Sequence, residues 1–322
     1  MYIVDLWKIY ESTIKLFKLN FATLSKVCNE VYLNEYSSYG FILGDSSLIK
    51  RKNYYYIEIK STKIFTVLAG YIYLRAISFN EYLYINCSKS KHGILDYHIR
   101  TRSYDRTLKD IYKIKKYYDL SKLRDILNRV DIPSFISGFF DADGSISFNT
   151  RLGHVKITFI SKSSKILEII SQYLSDYGIH MSSKPTRISS HTYINEGIVI
   201  RKSTTYQIYT TNKDSTRNLL EILSKYSIHL TRRLKIELAK NLINKNIKGE
   251  KIKRVLMQIK EIEKHTRAMN YKSPKCKTML KQVLRNIDLV AGPHCGDGSG
   301  GSPAAPNKAT ACGFEPPTSG SL

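Results

Sequence analysis

Two stretches of this chain carry one pattern 98 positions apart (143 − 45). Tyr39-Gly40-Phe41-Ile42-Leu43-Gly44-Asp45-Ser46-Ser47-Leu48 slides without a gap onto Ser137-Gly138-Phe139-Phe140-Asp141-Ala142-Asp143-Gly144-Ser145-Ile146. Each copy reads as a short apolar helix with small residues four apart, Gly40/Gly44 and Gly138/Ala142. That spacing puts them on one face, where missing side chains let a second backbone approach closely. Each helix then ends in an acid, where the helix dipole disfavours negative charge. If the two helices pack on each other, Asp45 and Asp143 lie side by side, and two unpaired carboxylates that close call for a divalent cation. Two unrelated buried helices, each followed by a turn acid, would explain either copy alone. The recurrence, one small domain apart, argues for a pair.

The order around the two copies also repeats. After the first, Tyr56, Glu58 and Lys60 alternate with Ile57 and Ile59, a strand with one face on a core. An amphipathic helix follows at 62–77, then strands near 81–87 and 94–102. On the latter, His98, Arg100 and Arg102 share a face and Tyr97 and Ile99 share the other. A basic helix is expected at 105–117, then a linker or short helix to Asp131. Ser134 is the expected N-cap of the second motif helix. Beyond it come a strand at 154–160 (Val155, Ile157 and Phe159 inward), a helix at 163–177, strands near 185–194 and 197–210, and a helix at 214–225. Each half therefore reads αββαββα, giving an α+β protein with pseudo-twofold symmetry and the two motif helices at its centre. The expected units are a helical preamble (1–35), the first half (36–130), the second half (131–245) and a basic helical extension (246–290). The last unit is a Gly/Pro-rich tail (291–322), which holds five of the eight Pro and no Ile or Tyr. Such a composition predicts disorder, and no function is assigned to it.

Ile136 to Gly144 resembles the LAGLIDADG motif nearly letter for letter, and Gly40 to Ser46 resembles its variant GLLLGDG. Over about residues 36–245 the chain is similar to single-chain, two-motif LAGLIDADG homing endonucleases, archaeal or organellar and intron-encoded. The resemblance implies a monomer that cuts double-stranded DNA at a long asymmetric site, in an archaeal cytoplasm or an organelle. It makes Asp45 and Asp143 the catalytic pair, with Ser46 and Gly144 beside them in the metal set, holding Mg²⁺ or Mn²⁺. Basic assistants are expected on the adjacent strands. Lys60 fills that place in the first half and Ser161 or Lys162 in the second, where a one-residue slip in register would reverse the face. Further central cations fall near Lys115/Lys116 and Arg232/Arg233. Asp141 has no counterpart in the first copy, where Leu43 stands, so it reads as structural. The outward strand residues form the expected DNA-reading surface: Tyr56, Glu58, His98, Arg100, Arg102, Lys156, Arg187, Arg201 and Gln207, joined by Arg232 and Arg233.

Charge supports a polyanionic partner. The sequence holds 51 Lys+Arg against 27 Asp+Glu, a net charge of +24. No apolar run approaches membrane-spanning length and the start shows no signal-peptide pattern, which favours nucleic acid over a membrane. Five cysteines (28, 87, 276, 295, 312) with no C-x-x-C indicate neither a disulfide framework nor a zinc site, and an intracellular protein is expected. Three other functions fit less of the sequence. Asp45…Glu58-x-Lys60 imitates a restriction-type nuclease but leaves the second motif unexplained. An intron-RNA maturase with lost or residual cleavage is the alternative of a different class, against which both motif acids stand intact. An intein would need a splicing nucleophile and a terminal His-Asn pair, and neither is present.

Overall fold

The two motif helices are laid down by their ends and held by their glycines. The first, α2, is Glu35–Asp45, opened by Asn34, whose side chain accepts the Ser37 amide at 2.9 Å. Its partner α6 is Ile132–Asp143, with Pro133 in the first turn, where its missing N–H costs nothing. The N-cap is Asp131 rather than Ser134, whose hydroxyl instead donates back to the Asp131 carbonyl at 2.9 Å. A Cβ on Gly40 would lie 2.0 Å from the Phe135 carbonyl oxygen, and one on Gly138 would lie 1.8 Å from the Ser37 oxygen. Nearer the acids, a Cβ on Gly44 would meet the Ala142 methyl at 2.4 Å. Small residues are thus required at this crossing by backbone contact, as their spacing predicts.

This computed structural model describes residues 2–17, 19, 30–77, 83–89, 95–149, 152–193, 199–245, 250–268 and 273–291. The tail expected to be disordered lies outside these residues, except for Ala291, the last residue of a helix.

From α2 the chain runs into β3 (Ser47–Lys50), β4 (Tyr55–Ser61), helix α3 (Ile64–Ile77), β5 (Leu83–Lys89), β6 (Leu95–Ser103) and α4 (Thr107–Tyr117). After a short α5 (Leu120–Leu127), α6 begins the same series. It continues with β7 (Gly144–Asn149), β8 (His154–Ser161), α7 (Ser164–Ser175), β9 (Thr186–Tyr193), β10 (Val199–Thr210) and α8 (Lys213–Tyr226). The strands form two antiparallel four-stranded sheets of equivalent order, β3-β4-β6-β5 and β7-β8-β10-β9. Each sheet keeps one apolar face on the core. Ile57, Ile59, Tyr97 and Ile99 point inward in the first, and Val155, Ile157, Phe159 and Ile208 in the second. The opposite faces carry the polar alternates.

Three departures from expectation have physical reasons. The stretch before α2 is not simply helical, because Tyr2–Asp5 (β1) pairs antiparallel with Glu30–Leu33 (β2). Between them α1 (Leu6–Leu16) starts on Asp5, which accepts the Trp7 and Lys8 amides. Four-residue strands leave too short an alternation to read beside a strong helical period. Past the second half, α9 (Leu230–Lys245), α10 (Glu250–His265) and α11 (Ser273–Ala291) pack back on the core rather than trailing away. Ile252, Ile259, Leu280 and Leu284 are buried. Finally, Cys87 on β5 and Cys276 on α11 form a disulfide, 189 residues apart in sequence, where the cysteine spacing suggested none. Cys28, Cys295 and Cys312 lie outside the described residues.

Candidate active site

Because α2 and α6 cross at their glycines, their last residues meet. A Cβ on Gly44 would sit only 3.2 Å from Asp143 Oδ2. Asp45 and Asp143 open together into a cavity of about 440 Å³, whose walls include Glu58, Lys60, Lys115 and Lys162. Among the described residues neither acid accepts a hydrogen bond or lies within ion-pair distance of a cation. Burial pushes the Asp45 carboxyl up to about 7; the Asp143 charge adds to the rise, and Arg232 and Lys115 oppose it. Burial raises Asp143 as well, against the same two cations and Lys162. Two carboxylates so placed do not both ionise cheaply without a positive charge between them.

That charge fits a hard divalent ion. No group of three or more His, Cys, Asp and Glu able to hold a metal occurs among the described residues. The protein therefore offers two carboxylates and leaves the other positions to oxygen from backbone, solvent or phosphate, as Mg²⁺ prefers. Of the other expected ligands, Ser46 lines the cavity, but its hydroxyl is committed to the Ile42 carbonyl at 2.8 Å. Gly144 begins β7, pairs with Phe159 and is buried, and a Cβ there would strike the Phe140 ring at 2.0 Å.

Two cations resolve the oddity of acids at helix C-termini. Lys115, in the last turn of α4, reaches the end of α2 and donates to the carbonyls of Ile42 (2.9 Å), Leu43 (2.6 Å) and Gly44 (3.1 Å). Arg232, in the first turn of α9, donates to Phe140 O at 2.5 Å and Ala142 O at 2.7 Å at the end of α6. Positive charge at those carbonyls complements the dipole and offsets the neighbouring carboxylates. Burial pushes the Lys115 ammonium down to about 8, against the pull of Asp143 and Asp45. Arg232 was expected among the DNA-reading residues and is instead beneath the motif helices. Arg233 is only 3% exposed and caps the end of α8 through the Ser224 and Ser227 carbonyls, so it does not face DNA either. Lys116 is exposed and lies over Tyr112 and Tyr117, away from the cavity.

Asp141 is fully buried. Its carboxylate accepts from Tyr73 Oη (2.8 Å), Ser227 Oγ (2.5 Å), Ile228 N (2.6 Å) and His229 N (3.1 Å). It therefore joins α3 of the first half to the α8–α9 turn of the second, three residues before Arg232.

The expected reading residues divide. Cross-strand register puts Lys60 opposite His98, Glu58 opposite Arg100 and Tyr56 opposite Arg102, all on the polar face of the first sheet. His98 is on that face but covered: it is 7% exposed, packs edge-on against Tyr84, and burial pushes it down to about 4. On the second sheet Lys156 lies over the Tyr209 ring at 3.9 Å, and Gln207 shares their face. Arg187 does not. It pairs with Tyr206 and donates to Thr204 Oγ1 at 3.1 Å, on the side of Ile208 that faces the helices. One residue of register decides this, and Thr186 takes the place expected of Arg187, opposite Gln207. The side chain of Arg201 lies outside the described residues. Tyr118 also lines the cavity and was not foreseen. It ends α4 with φ 55°, a left-handed C-cap conformation that nothing in its residue type announces.

Residues 131–228 match the sequence model of a family described as LAGLIDADG-like domain. No curated protein matches the chain. Among solved structures it is similar to the homing endonuclease I-WcaI bound to its DNA recognition sequence. That likeness has 16% identity and a TM-score of 0.39, over 69% of this chain and 91% of that one.

Proposed function

We propose that this chain, a LAGLIDADG-family protein by its domain at residues 131–228, is a homing-type endonuclease. In this reading it hydrolyses both strands of duplex DNA at one long, asymmetric site and depends on a divalent ion, Mg²⁺ or Mn²⁺. The observation that carries the reading is the junction of Asp45 and Asp143 at the glycine crossing, inside a cavity walled by Lys60, Lys115 and Lys162.

Asp45 and Asp143 would hold the ion between them. Bound there, it supplies Lewis-acid stabilisation of charge on the scissile phosphate and acidifies a water. Lys60 (49% side-chain exposure) and Lys162, also exposed, stand at the walls, one from each half, where they meet the phosphate oxygens of the two strands. Lys115 and Arg232 keep the carboxylates aligned by fixing the ends of their helices. Both motifs sit on one chain with non-identical halves, which suits a monomer and an asymmetric site. The net charge of +24 suits the phosphate backbone.

The test is cleavage of a randomised duplex library by purified protein in Mg²⁺, with the cut ends sequenced. Asp45→Asn and Asp143→Asn should each abolish double-strand cleavage while leaving DNA retention in Ca²⁺ largely intact. A dead Glu58→Ala variant beside a fully active Asp143→Asn would replace this reading with the restriction-type one. Binding and splicing of intron RNA, with no DNA cut, would replace it with the maturase.

A further inference from the structure

Helices α4 and α5 meet in a turn that leaves one residue between them. α4 ends at Tyr117 and Asp119 is already the N-cap of α5. Tyr118 makes the reversal with φ 55° and ψ 40°, its amide donating to the Ile114 carbonyl at 3.0 Å. So tight a turn demands the left-handed conformation, which a Cβ disfavours and a bulky side chain disfavours more than most. Glycine or asparagine is the usual residue at such a helix end. Among the described residues the other two positive φ angles fall on glycines, Gly153 and Gly178, and Tyr118 is the one exception. Packing does not account for it. Tyr118 is 51% exposed, and its hydroxyl has no hydrogen-bond partner among the described residues. Its side chain lines the cavity of Asp45 and Asp143. Its place there is fixed, because Lys115, one turn earlier, ties the end of α4 to the carbonyls that end α2. An unfavourable backbone kept for a side chain that buries little points to a task in that cavity.

We propose that Tyr118 is a substrate-positioning residue, its phenol O–H donating to a non-bridging oxygen of the phosphate beside the cut, on one strand only. This rests on the DNA-cutting reading above and adds a residue to that same site. Phosphate oxygens only accept, and the Tyr118 hydroxyl is a donor without a partner. Lys60 and Lys162, also in the cavity walls, supply charge, which attracts a phosphate from any direction. A phenol on a stiff ring with two rotatable bonds supplies direction at little cost in freedom. The scissile phosphate itself is taken by the ion and the lysines, so the phenol meets its neighbour. The restriction to one strand follows from the other half. The counterpart of α4 there is α8, whose C-cap is Ser227 at φ −69°. Ser227 is wholly buried with its hydroxyl on Asp141, and it is not among the residues lining the cavity. The second half commits that helix end to the core, and the first half turns it toward the substrate.

The test uses a duplex site recovered from the cleavage library, with each strand end-labelled in turn and cut in Mg²⁺ with enzyme in excess. Tyr118→Phe keeps the ring and the backbone and loses the donor. It should slow cleavage of one strand by on the order of tenfold or more and leave the other unchanged, so that nicked duplex accumulates. Methylphosphonates, in which a methyl group replaces one non-bridging oxygen, are then placed singly at the phosphates flanking the slowed cut. At one of them wild type should show the same loss and Tyr118→Phe no further loss, the non-additivity that marks direct contact. Tyr118→Gly should show the same strand bias and melt no lower than wild type, because glycine relieves the backbone. Equal slowing of both strands, or additive losses at every phosphate, would overturn the inference and leave the nuclease reading standing. So would Tyr118→Phe that cuts both strands at the wild-type rate, which beside a low-melting Tyr118→Gly would make the ring a structural plug. Wild type that cuts no duplex would overturn the nuclease reading and this inference with it.

Discussion

Replacing Gly138 with alanine adds one methyl group and should disable the protein out of proportion to its size. The new Cβ would stand 1.8 Å from the Ser37 carbonyl oxygen and 2.7 Å from its carbon, both backbone atoms of α2. Real Cβ contacts essentially never fall below 3.0 Å, so the helices must part by about 1.2 Å (3.0 − 1.8) at that point. A gap of even 0.5–1 Å forfeits roughly a quarter to a half of each van der Waals well across it, and Phe41, Phe135 and Phe139 at this crossing are almost fully buried. Overpacking of this kind costs about 1–3 kcal/mol and occasionally more; backbone against backbone belongs at the upper end. The gain in helix propensity returns only about 1 kcal/mol. The net loss of about 2 kcal/mol should lower the melting temperature by roughly 3 °C. Catalysis should suffer more, because Gly138 lies five residues before Asp143 on one helix. A 1 Å misplacement at a reacting centre costs on the order of 100-fold. Thermal melts, with cleavage rates well below the variant's melting temperature, measure both effects. Gly70→Ala is the control: its Cβ would meet the Ile59 Cδ1 terminus at 2.4 Å, a flexible side-chain end that can move. Gly138→Ala protein that melts with wild type and cuts at its rate would refute the crossing. Equal losses from Gly70→Ala would refute the distinction between backbone and side chain.

In metal-free protein Asp45 binds a proton in the folded state up to about pH 7 but in the unfolded state only up to its ordinary 3.8. Its contribution to stability is therefore greatest below pH 4 and is lost as pH rises through 7. His98, pushed down to about 4, acts in the opposite sense between pH 4 and 6.5, so the quantity to measure is the difference between Asp45→Asn and wild type. That difference should grow in favour of the variant from pH 5 to 8, by about 2.5 kcal/mol, and Mg²⁺ should reverse it. A flat difference in denaturant melts would mean that Asp45 is not buried against Asp143. Asp141→Asn should cost about 3 kcal/mol, since an amide presents N–H groups to a pocket of four donors; equal stability in urea would contradict that network. Reducing the Cys87–Cys276 disulfide closes no new contact but frees a loop of 189 residues, and should cost about 2–4 kcal/mol. Cys276→Ser should then melt like reduced wild type.

What could be read from the chain was what repeats. The glycine pairs, the terminal acids and the strand alternations have fixed periods, so the places of Gly40, Gly138, Asp45 and Asp143 are legible in the sequence. Positions set by one residue of register were less secure: Arg187 fell on the wrong face, and Ser161 and Lys162, whose register stood open, both line the cavity. Contacts between distant segments carry no period at all. Nothing local tells that Arg233 folds back on Ser224 and Ser227, or that Cys87 finds Cys276. Residue type misled at His98, a polar side chain on the outward face that Tyr84 and Glu58 cover.

The same distinction explains why the two helix-end cations escaped the repeat. The acids they serve are 98 positions apart, but Lys115 and Arg232 are 117 apart (232 − 115) and come from non-equivalent helices, α4 and α9. Duplication conserves a backbone, whereas exposed C-terminal carbonyls beside a buried carboxylate accept charge from any direction. Each cation matches the carbonyls it found. The ammonium of Lys115 has three N–H groups and meets three successive carbonyls, Ile42, Leu43 and Gly44. The guanidinium of Arg232 is a rigid fork and spans two carbonyls two residues apart, Phe140 and Ala142. A fork must be aimed, and Asp141 supplies the aim by gripping Ser227, Ile228 and His229 just ahead of it. A point charge on a flexible stem needs no such grip, so Leu43 suffices where the first half faces Lys115. The acid that appears in one motif and not the other is thus accounted for by the cation each half recruited.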